Sequence, residues 1–219
     1  IFFYLILFFF LSTQITKNNK IHNNFSATIK NIEVIGLSNT KNQEVFNSLK
    51  SLLFKNIFFI SKESFEDILS ENNLIETFNI KKMYPNNIIV EIKKTDFLAI
   101  TNKNSKKYYI GSNGKLILVK NSEYVNNELP FVFTKSNYTN FVLLKKIIDK
   151  SKFNFEEIDS FYYYSSNRWD FKTKSGLLIK LPGKKILESL QIAHNIKDNE
   201  EFKNKKVIDL RVNNRITTY

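Results

Sequence analysis

Tyr84-Pro85-Asn86-Asn87-Ile88-Ile89-Val90-Glu91-Ile92-Lys93-Lys94 reads as a turn followed by a half-buried strand. Side chains alternate along a strand, so Ile88, Val90 and Ile92 share one face and Ile89, Glu91 and Lys93 the other. Pro85 suits the start of the turn. Ile75–Met83, just upstream, is the natural strand partner. Further upstream, Gln43–Phe54 repeats Val45, Phe46, Leu49, Leu52 and Leu53 at helical spacing. Ser38-Asn39-Thr40 offers N-cap oxygens to that helix, and Lys55-Asn56 breaks it. Ile57–Ile60 is a buried connector. Ser61 is expected to cap a second helix, with Phe65, Ile68 and Leu69 inward and Asn72-Asn73 at its end. Ile29, Ile32, Val34 and Ile35 make a first short strand that stops at Gly36. Two helices on one face of three strands, in the order β-α-α-β-β, give a small α+β domain over residues 29–95.

Residues 96–219 are strand-rich. Phe97–Thr101, Tyr108–Ile110, Lys115–Val119, Phe131–Phe133, Ile158–Tyr164, Asn167–Thr173 and Leu177–Leu181 read as strands. Gly111-Ser112-Asn113-Gly114 is a hairpin-type turn, and Asn121–Glu128 a loop. Phe141–Lys150 is a helix with Val142, Leu143, Ile147 and Ile148 inward. Ile186–Ile196 is another, carrying Leu187, Leu190, Ile192 and Ala193. The expected architecture is a mixed α/β domain dominated by a mostly antiparallel sheet. The chain closes on Val207–Tyr219: strand, an Asn213-Asn214 kink or turn, then more strand. This stretch is a candidate sheet edge. An edge strand presents unpaired N–H and C=O groups, which must be blocked or used to receive a partner's strand. An ordinary core strand is the competing reading.

Ile1–Leu11 is an unbroken apolar run, shorter than the roughly 20 residues a spanning helix needs. The chain starts at Ile, so the run is expected to be the clipped end of a transmembrane helix over residues 1–16. A signal-peptide core and a buried helix are the alternatives; Ser12–Thr16 shows no small-x-small cleavage pattern. Lys17, Lys20 and Lys30 follow the run, and positive flanks prefer the cytoplasm. Residues 17–28 read as a polar linker.

The 219 residues carry a net charge of +12, with 42% hydrophobic and 25% charged residues. That is ordinary globular composition. The charge fits a nucleic-acid binder or a protein at an anionic surface. Its cations are nearly all Lys, spread along the chain. Only Arg168, Arg211 and Arg215 offer the planar forks that nucleic-acid readers favour, so a solvated basic surface is preferred and no nucleic acid is expected. There is no cysteine, which excludes a disulfide scaffold and thiolate chemistry. His22 and His194 lie far apart, without carboxylates at ligand spacing. No nucleophile elbow or phosphate-binding glycine loop occurs. Hence no catalytic residue, metal site or cofactor is expected. Asp209 and Arg211 share a strand face and read as an ion pair. Trp169 reads as core. The Phe161–Tyr164 run puts aromatics on both faces of its strand.

Some motifs go beyond general patterning. Val34-x-Gly36 opening the first unit and Tyr84-Pro85-Asn86-x-Ile88-x-Val90 closing it resemble the polypeptide-transport-associated (POTRA) domain. Arg168-Trp169-Asp170, Gly176, Lys180-Leu181-Pro182, a helix and then Ile208-Asp209-Leu210-Arg211 with Arg215 resemble the bacterial cell-division family FtsQ/DivIB, in its alphaproteobacterial form. Lys94-Thr95, Phe97 and Gly111 depart from the family's usual residues. The resemblance implies a non-enzymatic divisome scaffold linking early and late division proteins at the septum. It implies a single-pass inner-membrane protein, N-terminus cytoplasmic and body periplasmic. It also implies binding of FtsB and FtsL, the former adding a strand beside the terminal one. By position, Arg211, Val212, Asn214, Arg215, Ile216, Thr218 and Tyr219 would line that site. A proline at Thr217 or a charge at Ile216 would then abolish capture. The POTRA domain would be a second contact surface for other divisome proteins. POTRA domains also occur in protein translocation and outer-membrane assembly, which is the alternative reading; nucleic-acid binding and an enzyme of unknown type rank below it.

Overall fold

The computed structural model of the chain describes residues 3, 4, 8, 27–119, 128–134, 138–197, 199–202, 204–212 and 215–219. The expected span 1–16 and the linker 17–28 therefore lie outside the described residues, apart from Phe3, Tyr4, Phe8, Ala27 and Thr28. No helix among the described residues is long and apolar enough to cross a membrane.

The first sheet has three strands in the order β1-β3-β2: β1 (Asn31–Ile35), β2 (Ile75–Met83) and β3 (Asn87–Lys94). β1 runs parallel to β3 and β2 antiparallel to it. Ile88, Val90 and Ile92 point into a core shared with α1 (Asn39–Leu49) and α2 (Glu63–Leu69). The alternation read from the sequence is thus the buried face. Both expected helix starts differ in detail. Ser38 holds the N-cap position of α1, but its hydroxyl makes no capping bond. Asn42 does the local work instead, accepting from the Leu37 N–H at 3.1 Å and donating to the Leu37 carbonyl at 3.2 Å. The α2 N-cap is Lys62, already helical, so Ser61 does not cap it; Ser61 bonds the Glu63 carboxylate and draws it below the ordinary range.

The second sheet has nine strands in the order β12-β11-β10-β9-β8-β7-β4-β5-β6. In chain order these are β4 (Phe97–Lys103), β5 (Lys106–Gly111), β6 (Leu116–Leu118), β7 (Phe131–Phe133), β8 (Ile158–Tyr164), β9 (Arg168–Thr173), β10 (Leu178–Lys180), β11 (Val207–Asp209) and β12 (Thr217–Thr218). Most neighbours are antiparallel; β4/β7, β7/β8 and β10/β11 are parallel. Parallel neighbours need crossover connections. Helices α3 (Tyr138–Asp149) and α4 (Ile186–Lys197) supply two of them, between β7 and β8 and between β10 and β11. They cover the face carrying Val132, Phe161, Phe171, Ile179 and Ile208. Phe161 and Phe171 are fully buried, and Trp169 lies 6.1 Å from the Phe141 ring, so Trp169 is core as expected.

Both helices turn a somewhat different face inward than expected. In α3, Phe141, Val142, Leu144 and Ile148 are buried and Leu143 is exposed. In α4, Ser189, Leu190, Ala193 and Ile196 are buried and Ile192 is exposed. A stripe of period 3.6 through Phe141, Leu144 and Ile148 leaves Leu143 on the opposite side.

Only Thr95 and Asp96 separate β3 from β4. A polar clamp closes this junction. The Asn113 amide donates to the carbonyls of Asn73 and Ile75, each at 3.0 Å. Asn73 in turn donates to the Leu116 carbonyl of β6 at 2.8 Å. The Glu76 carboxylate accepts from Ser112 at 2.7 Å and from Thr95 at 3.0 Å. Leu74 completes the joint, packing with Ile100, Tyr109 and Ile117.

Candidate functional site at the C-terminal sheet edge

Val207–Asp209 is an inner strand and Thr217–Thr218 the edge, because the chain turns back after Arg211. The pairs are Ile208↔Thr218 and Asp209↔Thr217. Val207 and Tyr219 exchange both backbone hydrogen bonds, at 3.0 and 3.3 Å. Bonded and non-bonded pairs alternate in an antiparallel ladder. Hence the Thr217 backbone faces β11, and the N–H and C=O of Thr218 face outward. A proline at Thr217 would act on the host's own ladder; the substitution that strips only the outer edge is at Thr218.

The turn is held locally. The Arg211 N–H donates to Asp209 Oδ1 at 3.1 Å, and the Arg211 guanidinium grips both carboxylate oxygens, Nε lying 2.8 and 2.9 Å from them. The Arg215 N–H donates to the Val212 carbonyl at 3.2 Å. Asn214 lies outside the described residues. Val212, Ile216 and Tyr219 are exposed at 62, 50 and 58%. Ile216 and Val212 line a cleft of about 370 Å³ with Leu210, Arg215, Lys185 just before α4, and Glu188 and Ile192 of α4. Thr217 faces the other side of the sheet with Arg168, Asp209 and Arg211. The edge therefore offers two different faces: on the helix side Ile192, Leu210 and Ile216 among Lys185 and Glu188, on the other side the charged Arg168, Asp209 and Arg211.

The charged face is a cross-strand ladder. Asp170 of β9 sits opposite Lys180 of β10, Lys180 opposite Asp209 of β11, and Asp209 opposite Thr217. Opposite charges placed so stabilise a sheet. Lys180 Nζ also donates to the Tyr219 hydroxyl at 2.9 Å, tying the chain end to the ladder. Asp170 is buried, and burial raises its carboxyl above the ordinary range despite Arg168, Arg211 and Lys180. Asp209 goes the other way: its bonds from Arg211 hold it low. A lowered acid stabilises the fold above its unfolded pKa, and that contribution is lost as pH falls through the folded value. Asp209→Asn is therefore expected to lower the unfolding free energy, measured by urea titration at pH 6, by about 1 kcal/mol for a partly exposed pair. The gap should close well below about pH 4; a gap of equal size at pH 2.5 would contradict the ion-pair origin.

The sequence reading gathered the edge residues but not the neighbours contributed by other strands and by α4. Arg168, Asp170 and Lys180 were visible only as members of longer motifs, and Ile192 was read as core. Among the described residues no cluster of His, Asp and Glu could hold a metal. His194 stands edge-on to Phe153, with ring centres 6.4 Å apart; His22 lies outside the described residues.

A helix-covered three-stranded unit, tied by side-chain hydrogen bonds to a larger sheet that ends on β12, fits a POTRA-bearing protein. Comparison with known families agrees: residues 27–94 match the model described as POTRA domain, FtsQ-type, and residues 99–211 match Cell division protein FtsQ/DivIB, C-terminal. The chain belongs to the FtsQ/DivIB family of cell division proteins. Among curated relatives, Cell division protein FtsQ of Rhizobium meliloti is 20% identical over 192 residues, covering 86% of this chain and 62% of that protein. Cell division protein FtsQ of Rickettsia bellii is 25% identical over 189 residues, covering 85% and 70%. The chain thus spans under two thirds of the Rhizobium relative's length. A solved extracytoplasmic domain of the trans isomer of division protein DivIB from Geobacillus stearothermophilus covers 51% of this chain and 98% of its own at 9% identity. Its TM-score of 0.36 is too low to bear on the fold.

Proposed function

We propose that this chain is a non-enzymatic, membrane-anchored scaffold of the division machinery that receives a partner's strand along β12. The observation that carries the reading is the edge itself. β12 is two residues long, ends a nine-stranded sheet, and turns the backbone of Thr218 outward. Exposed Val212, Ile216 and Tyr219 flank it. Backbone pairing supplies affinity in strand addition, and alternate side chains supply specificity.

The partners proposed are FtsB, pairing on β12, and FtsL with it. Arg211, Val212, Asn214, Arg215, Ile216, Thr218 and Tyr219 form the contact. Residues 1–16 anchor the chain as a single inner-membrane pass, with the body periplasmic at the septum, and the POTRA unit offers a second surface to other divisome proteins. Capture of the organism's FtsB and FtsL homologues by the parent chain, and not by Ile216→Asp, is the expected pull-down result. Equal capture by both would move the contact off this edge. Capture by neither, with circular dichroism unchanged, would sink the scaffold reading.

A further inference from the structure

The end of the first unit away from the second sheet carries an exposed aromatic cluster that the edge does not use. Phe54 and Phe59 are 77 and 85% exposed, and Phe58, Met83 and Tyr84 are exposed beside them. Phe58 and Tyr84 stack with centroids 5.0 Å apart, joining the 53–59 loop to the turn after β2. Several large apolar side chains exposed at one end of a domain mark an interaction site. Phe54 also holds a φ of +65°, a conformation that bulky residues avoid and that persists where the surroundings enforce it.

This cluster is built around residues 27–30. Ile57 N–H donates to the Ala27 carbonyl at 2.8 Å, Ile29 N–H to Lys55 and Phe54 N–H to Ile29, each at 2.9 Å. On the other side, Lys30 N–H donates to the Asn86 carbonyl at 2.8 Å. The apolar run Ile1–Leu11 lies only fifteen residues (12–26) upstream, a reach of at most about 50 Å. The three segments forming this end, residues 27–31, 53–62 and 79–87, hold Lys30, Lys55, Lys62, Lys81 and Lys82 and no Asp or Glu, while Lys62 and Lys81 pair with Glu66 and Glu91 just beyond them. Aromatic rings beside lysines, at the root of an apolar segment, are the chemistry of a lipid–water interface: rings enter the headgroup layer and ammonium groups meet anionic lipid.

Building on the anchoring proposed above, we infer that this end of the POTRA unit docks on the surface of an anionic bilayer, with Phe54, Phe58 and Phe59 inserted. The chain has no cysteine, so one label can be placed cleanly. The chain from Ile1 to Tyr219 carrying Lys55→Cys, labelled with an environment-sensitive fluorophore, would be reconstituted in phosphatidylethanolamine/phosphatidylglycerol vesicles with a quencher in the headgroup layer. Quenching is expected to exceed that of a label at Lys205→Cys at least threefold, and Phe58→Ser/Phe59→Ser should bring it down to the Lys205 level. Phe59→Ser alone, at the most exposed ring, should give an intermediate value and guards against misfolding of the double variant. Equal quenching at both labels in a chain that floats with the vesicles would overturn the docking while sparing the anchor. A chain that fails to float at low as well as high salt would overturn both. Undiminished quenching in folded serine variants would also overturn the role of the rings.

Discussion

Thr218→Pro is expected to weaken the proposed FtsB contact at least about 100-fold, or roughly 2.8 kcal/mol, without unfolding the chain. The register assigns this residue the outward N–H and C=O, while its neighbours at 217 and 219 pair with β11. Proline removes the one outward donor and puts a ring where the incoming strand must pass. The partner's carbonyl is then desolvated without a bond, which alone costs about 1–3 kcal/mol. Titration calorimetry against the FtsB peptide measures the loss, and urea unfolding checks that the host is intact. Binding within threefold of the parent would show that the partner does not pair here. Thr217→Pro is the instructive control, because it should lower both stability and binding.

The second large effect lies in the first unit. An added Cβ at Gly36 would sit 1.9 Å from the Ile92 carbonyl oxygen, and Gly36 has a φ of +110°. An ordinary side chain can neither take that angle cheaply nor fit against that backbone. Gly36→Ala should therefore destabilise the unit by about 3 kcal/mol or more. Amide exchange across residues 29–94 should speed up markedly. Trp169, the single tryptophan, is buried in the second sheet, so its emission should hardly change. Unchanged exchange would mean that β1 can shift away from Ile92 at little cost.

Much of this architecture was legible because local signals agreed. The strict alternation of Ile88, Val90 and Ile92 admits one face for the core, and Gly36 and Pro85 punctuate the elements around it. Helix phase was less legible. Leu143 and Ile192 are apolar types at plausible spacing, yet they face outward, and only the packing of α3 and α4 on the sheet decides that. At the terminal edge, residue types revealed strand character but not register. Which of Thr217 and Thr218 faces outward depends on where the chain turns back, and the Asp170–Lys180–Asp209 ladder brings together residues from three strands. No linear pattern encodes that alignment.

The clamp between the two sheets has a geometric consequence. Asn73, Asn113 and Glu76 fasten the first unit beside β6, which would make the sheet a spacer of set width. Eight strand spacings separate β6 from β12, or roughly 38 Å along an untwisted path. A partner captured at the far end is then held at a set standoff from the POTRA unit, and from any bilayer that unit rests on. If the proposed anchor and partner contact both form, the width of the sheet sets the altitude of that partner above the membrane.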